Sequence, residues 1–215
     1  MRFLTIEQGE ELRTAIQYPY GVLVAVLAYG GIRWSEAAAL RLRRVDILRS
    51  RLTIAEAVTQ VGARFFWGVP KNHRHREIAI PADLRDDLNE HILAGLIIEP
   101  EELIFTSPHG QTLRSSNFHR SVWKPALRGA DIDSQLRIHD LRHTCAAVMI
   151  SAGAHPEVIK RHLGHSSIKV TMDSYGHLFP SDADALAGRI NSAISKARAD
   201  SRRTEDQGSA EATAS

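Results

Sequence analysis

Cysteine is almost absent from this 215-residue sequence, and the one present is Cys145. A single cysteine excludes an internal disulfide framework and a cysteine-rich metal site, and it favours a reducing, intracellular setting. Long apolar runs are missing as well. The longest, Val22 to Tyr29, is far too short to span a bilayer, and it follows an acidic segment rather than the basic start of a signal peptide. These absences predict a cytoplasmic protein that does not use a membrane.

Tyrosine is also scarce, with four in the chain. One of them, Tyr175, lies among Ser, Gly, Asp and His residues in the stretch LGHSSIKVTMDSYGHL, residues 163–178. A tyrosine that serves packing usually has apolar neighbours on its own face. The arrangement therefore predicts a phenol held within reach of polar groups, a short distance along the chain from His165.

Charge is nearly balanced overall, at +2, but it is unevenly distributed. Ten Lys/Arg against three Asp/Glu occur from Arg33 to Arg76, and nine against five from Arg114 to His177. The intervening stretch, Pro81 to Leu113, has one basic and seven acidic residues. Two basic blocks predict a positive face, which on an intracellular protein most often meets nucleic acid. A solvated helical surface explains the charge pattern equally well.

The rest of the composition, 43% hydrophobic and 24% charged, fits one globular domain. A capping box at Thr5 and Gln8 predicts a first helix to about Gln17. Turn and periodicity signals predict the remaining helices at about 19–30, 35–40, 84–95, 116–128, 140–152, 156–163, 167–173 and 182–197. Strand-like runs at 46–55, 57–60, 65–69 and 77–80 predict a small antiparallel sheet. The fold class is therefore α+β and mainly helical, with a polar tail, residues 199–215, predicted to be disordered.

Four local signals stand out, and each is weak alone. Arg33 follows a Gly-Gly break at the start of a helix, as a surface arginine also does. The run Val69–Arg76 is basic and turn-forming, as solvated hairpin tips are. His139 and Arg142 are three residues apart and share a helix face, which is unfavourable unless both serve an anion. The fourth signal is the pair His165 and Tyr175.

Cleavage of a phosphodiester would use all four signals. The non-bridging oxygens need positive charge, which two arginines supply with bidentate forks. A tyrosine can attack phosphorus and keep the bond energy in a phosphotyrosine ester. Its phenol, with a pKa of about 10, needs a base or a positive field to react at neutral pH. Lys71 on the basic hairpin could then protonate the departing sugar oxygen.

The residues Arg33, Lys71, His139-x-x-Arg142, Leu163-Gly164-His165 and Tyr175 resemble the catalytic domain of the tyrosine recombinases, the phage-integrase family. The order and spacing of all six catalytic positions match, and the resemblance covers almost the whole chain. It implies the fold of that domain, with the catalytic lysine on a hairpin of the small sheet.

The resemblance implies a role for each residue. Arg33 and Arg142 bind the scissile phosphate, Lys71 is the general acid, and His139 assists proton transfer. His165 supports the phosphate, Tyr175 is the nucleophile, and Glu36 braces the first arginine. The basic residues implied as DNA contacts are Arg43, Arg44, Arg74 and Arg76.

The resemblance also implies partners and boundaries. The substrate is a double-stranded DNA recombination site, on which four copies of the chain assemble through the helix at 182–197, with accessory DNA-bending or excision factors. No metal and no cofactor is expected. The catalytic domain is predicted to occupy residues 1–198. Family members usually carry a DNA-clamping domain before the catalytic one, and we expect this chain to lack it.

One feature departs from the family and two rival interpretations remain open. The hairpin Lys71–Arg76 lacks the glycine or serine often found near its tip. A metal-dependent phosphohydrolase could use the ligands His139, Asp140, His143, His162 and His165, although it leaves Arg33, Lys71 and Tyr175 unexplained. A DNA-binding regulator without catalysis could use the same fold, although such a protein would normally have lost a catalytic residue.

Overall fold

The protein is described by a computed structural model that covers residues 2–70, 75–179, 187–188, 190–196 and 198. The chain divides into two compact units, Met1–Leu178 and Phe179–Ser215. The domain boundary predicted at residue 198 stays a prediction. Among the described residues, no helix is both long and apolar enough to cross a membrane.

The first unit begins with two packed helices. Helix α1 (Ile6–Ala15) starts at the predicted capping box, in which the Thr5 hydroxyl accepts from the Gln8 amide and the Gln8 side chain accepts from the Thr5 amide. Helix α2 (Tyr20–Tyr29) is apolar on nearly all sides, and it is buried because α1 and two later helices surround it.

Gly30 and Gly31 follow α2, and the chain turns there toward Arg33. Gly31 has a φ of +62°, and a Cβ there would lie 2.6 Å from the Cys145 sulfur. Glycine is therefore required by both backbone and space. The turn leads into the short helix α3 (Trp34–Ala37), which is followed by a 3-10 turn at Leu42–Arg44.

The strand region forms two sheets instead of the single sheet that the sequence predicted. The strands are β1 (Val45–Asp46), β2 (Arg51–Ile54), β3 (Ala57–Val61), β4 (Arg64–Gly68) and β5 (Arg76–Ala79). The order β1-β2-β5 makes one antiparallel sheet, and β3-β4 makes a separate hairpin. The predicted strand 46–55 is broken because Ser50 takes a φ of 53° in a turn between β1 and β2. Ile54 pairs with Arg76 in the register of β2 and β5.

Helices make up the rest of the first unit, close to the predicted positions. They are α4 (Ala82–Ala94), α5 (Ser115–Phe118), α6 (Lys124–Gly129), α7 (Asp140–Ser151), α8 (Pro156–Leu163) and α9 (Ile168–Tyr175). A π-helical turn, His119–Trp123, joins α5 to α6, so the predicted helix 116–128 has three parts. Helix α8 ends at Gly164, whose φ of +67° suits glycine.

In the second unit, residues 187–188 and 190–196 are helical. They fall inside the helix predicted at 182–197, of which the other residues lie outside the described part of the chain. Two apolar residues of this segment, Ile190 and Ile194, are exposed. The predicted tail, 199–215, also lies outside the described residues.

Candidate active site

Four segments of the first unit carry the five predicted catalytic residues that the structure describes. The turn after α2 carries Arg33, the N-terminal turn of α7 carries His139 and Arg142, and the turn from α8 to α9 carries His165. Helix α7 packs on α2 and α8, and α8 packs on α9 and β5. These contacts draw together side chains from positions far apart in the sequence, including Tyr175 at the end of α9.

Glu36 is the centre of a buried ion-pair cluster. One of its oxygens accepts from the Arg33 Nη1 at 2.9 Å and from the Arg76 Nη1 at 3.0 Å. The other accepts from the Arg33 amide at 2.8 Å and from the Arg76 Nη2 at 2.7 Å. Burial opposes ionisation of this carboxyl, but the Arg76 guanidinium holds the Glu36 pKa below its usual value. Glu36 thus contacts both Arg33 and Arg76, and its predicted supporting role in catalysis stays a prediction.

Arg76 also connects the sheet to the α8–α9 turn. Its Nε donates to the His162 carbonyl at 3.0 Å. Its side-chain atoms lie 3.0 to 3.2 Å from where a Cβ on Gly164 would be. The guanidinium is therefore fixed by protein groups on two sides. This geometry gives Arg76 an internal structural role, and the DNA contact that the sequence predicted for it stays a prediction.

Arg142 is buried, with 4% of its surface exposed. Its guanidinium donates to the Gly31 carbonyl at 2.6 Å and to the Leu163 carbonyl. Burial, with a smaller effect from Arg33, lowers the Arg142 pKa to about 10. The side chain remains a cation at neutral pH, held in place by two backbone carbonyls.

Tyr175 is more deeply buried than its polar sequence neighbours predicted, with 2% of its surface exposed. The prediction of a polar partner is nevertheless met, because the phenol oxygen lies 2.9 Å from the Nδ1 of His143. Burial raises the Tyr175 pKa, and the Arg142 charge opposes this rise. The resting phenol is therefore protonated, and it donates to His143 in the imidazole tautomer that carries its proton on Nε2.

His165 lies against the other side of the tyrosine. Its ring is parallel to the phenol, with 6.2 Å between ring centroids and 9° between planes. Its Nδ1 is 2.9 Å from the Thr171 hydroxyl. Burial first, and Arg142 second, lower the His165 pKa to about 4, so its imidazole is neutral at neutral pH.

His139 and His143 are one turn apart on α7, and their rings meet edge to face at 5.5 Å between centroids. Burial lowers the pKa of both imidazoles, and Arg142 lowers them further. All three histidines of the site are therefore neutral at neutral pH. A neutral imidazole can accept a proton or share one, which a phosphoryl-transfer site requires.

A cavity of about 550 Å³ opens beside Arg33 and His165. Its charged lining is mostly basic, contributed by Arg33, Arg76, Lys160 and Arg161, with Glu157 as the acidic member. His75 and His165 also line the cavity. A cavity of this charge attracts anions such as phosphate.

Two other predicted DNA contacts are engaged by carboxylates. Arg43 pairs with Glu56 at 2.6 Å and also with Glu101, and Arg44 lies 3.6 Å from Glu56. These arginines are therefore less free for phosphate than their place in a basic block indicated. Lys71 and Arg74 lie outside the described residues.

The ligand set of the metal interpretation is dispersed. Among the residues that the structure describes, no group of three or more His, Cys, Asp or Glu side chains could hold a metal ion. His162 instead contacts the Gly30 carbonyl at 3.0 Å, and Asp140 accepts from Arg137 at 2.7 Å.

Two residues have contacts in the site that the sequence did not predict, because His143 was considered only as a candidate metal ligand and Arg76 only as a DNA contact. His143 follows His139 by four residues, the spacing that puts two side chains on one helix face. That signal could have identified His143 as a member of the site. Nothing in the basic run 71–76 distinguishes Arg76 from Arg74.

Comparison with known proteins connects this geometry to a family. The sequence profile of the Phage integrase family matches residues 2–181. The integrase of Mycobacterium phage D29 is 30% identical over 176 residues, which are 79% of this chain and 46% of that protein. The ICEBs1 integrase of Bacillus subtilis is 27% identical over 169 residues, 75% of this chain and 45% of that protein. The chain thus spans about half the length of these relatives.

Solved structures agree on the fold. The Tn1549 transposon integrase in complex with circular intermediate DNA superimposes with a TM-score of 0.72 at 17% identity, over 88% of this chain and 65% of that one. The catalytic domain of bacteriophage HP1 integrase gives a TM-score of 0.60 at 23% identity, over 87% of this chain and 94% of that one. With its profile match and its mainly helical fold, this chain belongs to the phage integrase family and has the fold of a tyrosine recombinase catalytic domain.

Proposed function

We propose that this chain cleaves and rejoins DNA strands in site-specific recombination, as in integration or excision, through a 3′-phosphotyrosine at Tyr175. The observation that carries the proposal is the surroundings of the phenol. Its oxygen contacts an imidazole at 2.9 Å, and its ring lies close to a buried arginine charge and to the neutral His165.

The charge balance of the site supports binding of a phosphodiester. Three guanidiniums, those of Arg33, Arg76 and Arg142, are balanced by the one carboxylate of Glu36 within the cluster. The excess positive charge favours an anionic ligand. Arg33 and Arg142 grip the non-bridging oxygens, and His165 adds a hydrogen bond to the same phosphate.

Lys71 is the general acid in this proposal, because the sugar alkoxide leaves poorly without a proton. His139 assists proton transfer. The phosphotyrosine ester stores the energy of the broken bond, and arginines stabilise the charge, so the reaction needs neither ATP nor a metal.

The substrate in this proposal is a duplex recombination site in the cytoplasm of a bacterial or phage-infected cell. The Tn1549 integrase structure contains DNA, and the relatives are integrases. We extend the proposal to a tetramer on DNA, joined through the segment 182–197 and assisted by DNA-bending or excision factors. The catalytic domain, residues 1–198, then acts with a clamping domain of the kind that family members carry.

The test is capture of the covalent complex. The chain is incubated with fragmented genomic DNA of its host, and adducts that resist SDS are digested and analysed by mass spectrometry. We expect a phosphotyrosyl peptide containing Tyr175, and no adduct from Tyr175→Phe. The matched control is Tyr18→Phe, since Tyr18 also contacts a histidine, at 3.2 Å from His91.

An adduct that persists in Tyr175→Phe would assign the nucleophile to another residue. DNA binding without any adduct would favour the regulator. Loss of the adduct on chelation, with recovery on adding zinc or magnesium, would favour the phosphohydrolase.

A further inference from the structure

Tyr175 is hydrogen-bonded to His143, which is not one of the six predicted catalytic residues. The phenol must lose its proton when its oxygen attacks phosphorus. On the basis of the function proposed above, we propose that His143 is a catalytic residue, whose Nδ1 accepts this proton during strand cleavage and returns it during rejoining.

The geometry selects His143 among the three histidines. Its Nδ1 lies 2.9 Å from the phenol oxygen. His165 is stacked parallel to the phenol ring, and its own Nδ1 contacts Thr171 at 2.9 Å. The ring of His139 meets the ring of His143, 5.5 Å away between centroids. Among these three described histidine rings, His143 is the one whose ring nitrogen contacts the phenol oxygen.

The resting protonation states supply both a proton and an acceptor, although the two pKa shifts oppose the transfer until a phosphate is in place. Burial, then the neighbouring His139, and the arginines at 137 and 142 all lower the His143 pKa, while Asp140 opposes them. The imidazole is thus neutral at neutral pH, and its Nδ1 can accept in the tautomer that carries the proton on Nε2. Burial raises the Tyr175 pKa, so the phenol keeps its proton until a phosphate is in place. A base already in contact avoids the loss of a proton to bulk water.

Strand cleavage exchanges one bond to phosphorus for another. The Tyr175 oxygen forms a bond to phosphorus while the bond from phosphorus to the 5′ oxygen breaks. The phenol proton moves to His143 Nδ1, and a separate proton from the proposed acid, Lys71, moves to the 5′ oxygen. Rejoining reverses both transfers, so the site ends in its initial protonation state.

A second Tyr–His pair in the fold provides an internal comparison. Tyr18 lies 3.2 Å from the Nδ1 of His91, but the other nitrogen of His91 contacts the Ile104 carbonyl at 2.7 Å. Tyr18 lies at the opposite end of α2 from the turn that carries Arg33. The variant Tyr18→Phe therefore serves as a control, because it removes a Tyr–His hydrogen bond that lies away from the site.

The experiment measures single-turnover cleavage across a range of pH. The substrate is a duplex of the sequence recovered from covalent complexes of the wild-type chain, with sulfur replacing the 5′-bridging oxygen. A thiolate leaves without a proton, since thiols ionise near pH 8.5. The remaining pH dependence therefore reports on the nucleophile. The variants are His143→Asn, which keeps an acceptor near the position of Nδ1 without its basicity, His143→Phe, and Tyr18→Phe.

We expect the wild-type rate to be flat with pH once His143 is neutral. Without the base, His143→Asn should be slower by roughly 10²–10⁴-fold near neutral pH, the usual contribution of general base catalysis. Its rate should then rise about tenfold per pH unit, because the phenol must ionise on its own. His143→Phe should behave in the same way, and Tyr18→Phe should keep the wild-type profile.

The outcomes separate the inference from the proposed function. If wild type forms no phosphotyrosine on any DNA, the proposed function fails. If wild type cleaves and His143→Asn matches it in rate and profile, the role of His143 fails while the function stands. The same holds if His139→Asn, and not His143→Asn, acquires the rising profile.

Discussion

Two glutamates in this fold, Glu36 and Glu56, each form ion pairs with several arginines, but Glu36 is buried and Glu56 is partly exposed. Glu36 accepts four hydrogen bonds from Arg33 and Arg76, and 1% of its side chain is exposed. Glu56 pairs with three arginines, with 23% of its side chain exposed. They are Arg41, Arg43 and Arg44.

The two clusters differ in whether water can take the place of an arginine beside the glutamate. Water can replace any arginine around Glu56, and Glu101 at its edge is largely exposed. Around Glu36 there is no such replacement, so loss of one partner leaves a buried charge uncompensated. The sequence has similar charges in both places. Burial makes the first cluster a fixed support for Arg33 and leaves the second a surface network.

The largest effect should come from Glu36→Gln. This change leaves Arg33 and Arg76 without their shared counterion, and breaking a buried pair from one side costs roughly 3–5 kcal/mol. Urea unfolding followed by circular dichroism measures the loss in the free energy of unfolding. A loss no larger than that of Glu56→Gln would contradict the distinction between the clusters.

A smaller effect is expected for Arg76→Lys. The ammonium keeps the charge but cannot make two parallel hydrogen bonds to Glu36 and a third to the His162 carbonyl. We expect a loss of about 1.5–3 kcal/mol in the free energy of unfolding, the range for hydrogen bonds to charged groups.

The same variant tests whether Arg76 contacts DNA. Binding of Arg76→Lys to duplex DNA, measured by fluorescence anisotropy over a salt series, should show an unchanged dependence on salt. A slope reduced by about one phosphate contact, with stability preserved, would restore the DNA contact that the sequence predicted.

Acidification should remove the contribution of Glu36 in a defined window. Its pKa is held below 4.5 in the folded protein, so its stabilisation is present above that value and is lost as the pH falls through the folded pKa. The difference in unfolding free energy between wild type and Glu36→Gln should therefore be constant above about pH 5 and shrink below it. A difference that persists far into acid would show that the glutamine acts through packing.

Local signals in the sequence predicted most helices. The structure describes five of the six catalytic positions that the resemblance implied, and their roles stay predictions. Thr5 marks the start of α1, and Gly164 marks the end of α8, because caps depend on neighbours in sequence. His139 and Arg142 meet because helix spacing puts them on one face. These features need no knowledge of tertiary contacts.

Features set by packing could not be predicted in this way. Tyr175 reaches His143 because α8 packs on both α7 and α9, and no spacing along the chain encodes that contact. Arg76 turns inward because β5 pairs with β2 and packs on α8, whereas the basic run 71–76 reads as one exposed loop. The break of the strand at Ser50 depends on a positive φ that serine rarely adopts.

The smallest effect should come from Glu56→Gln. Its arginines are partly solvated, and exposed ion pairs contribute about 0–1 kcal/mol. Salt then separates the two clusters, because the screening length falls from about 10 Å at 0.1 M to about 3 Å at 1 M. The loss caused by Glu56→Gln should nearly vanish when urea unfolding is repeated in about 1 M sodium chloride. The loss caused by Glu36→Gln should persist there, since buried pairs are screened much less. If both losses fall together, the Glu36 cluster is as accessible to ions as the surface network, and Arg33 owes its position to something other than a buried counterion.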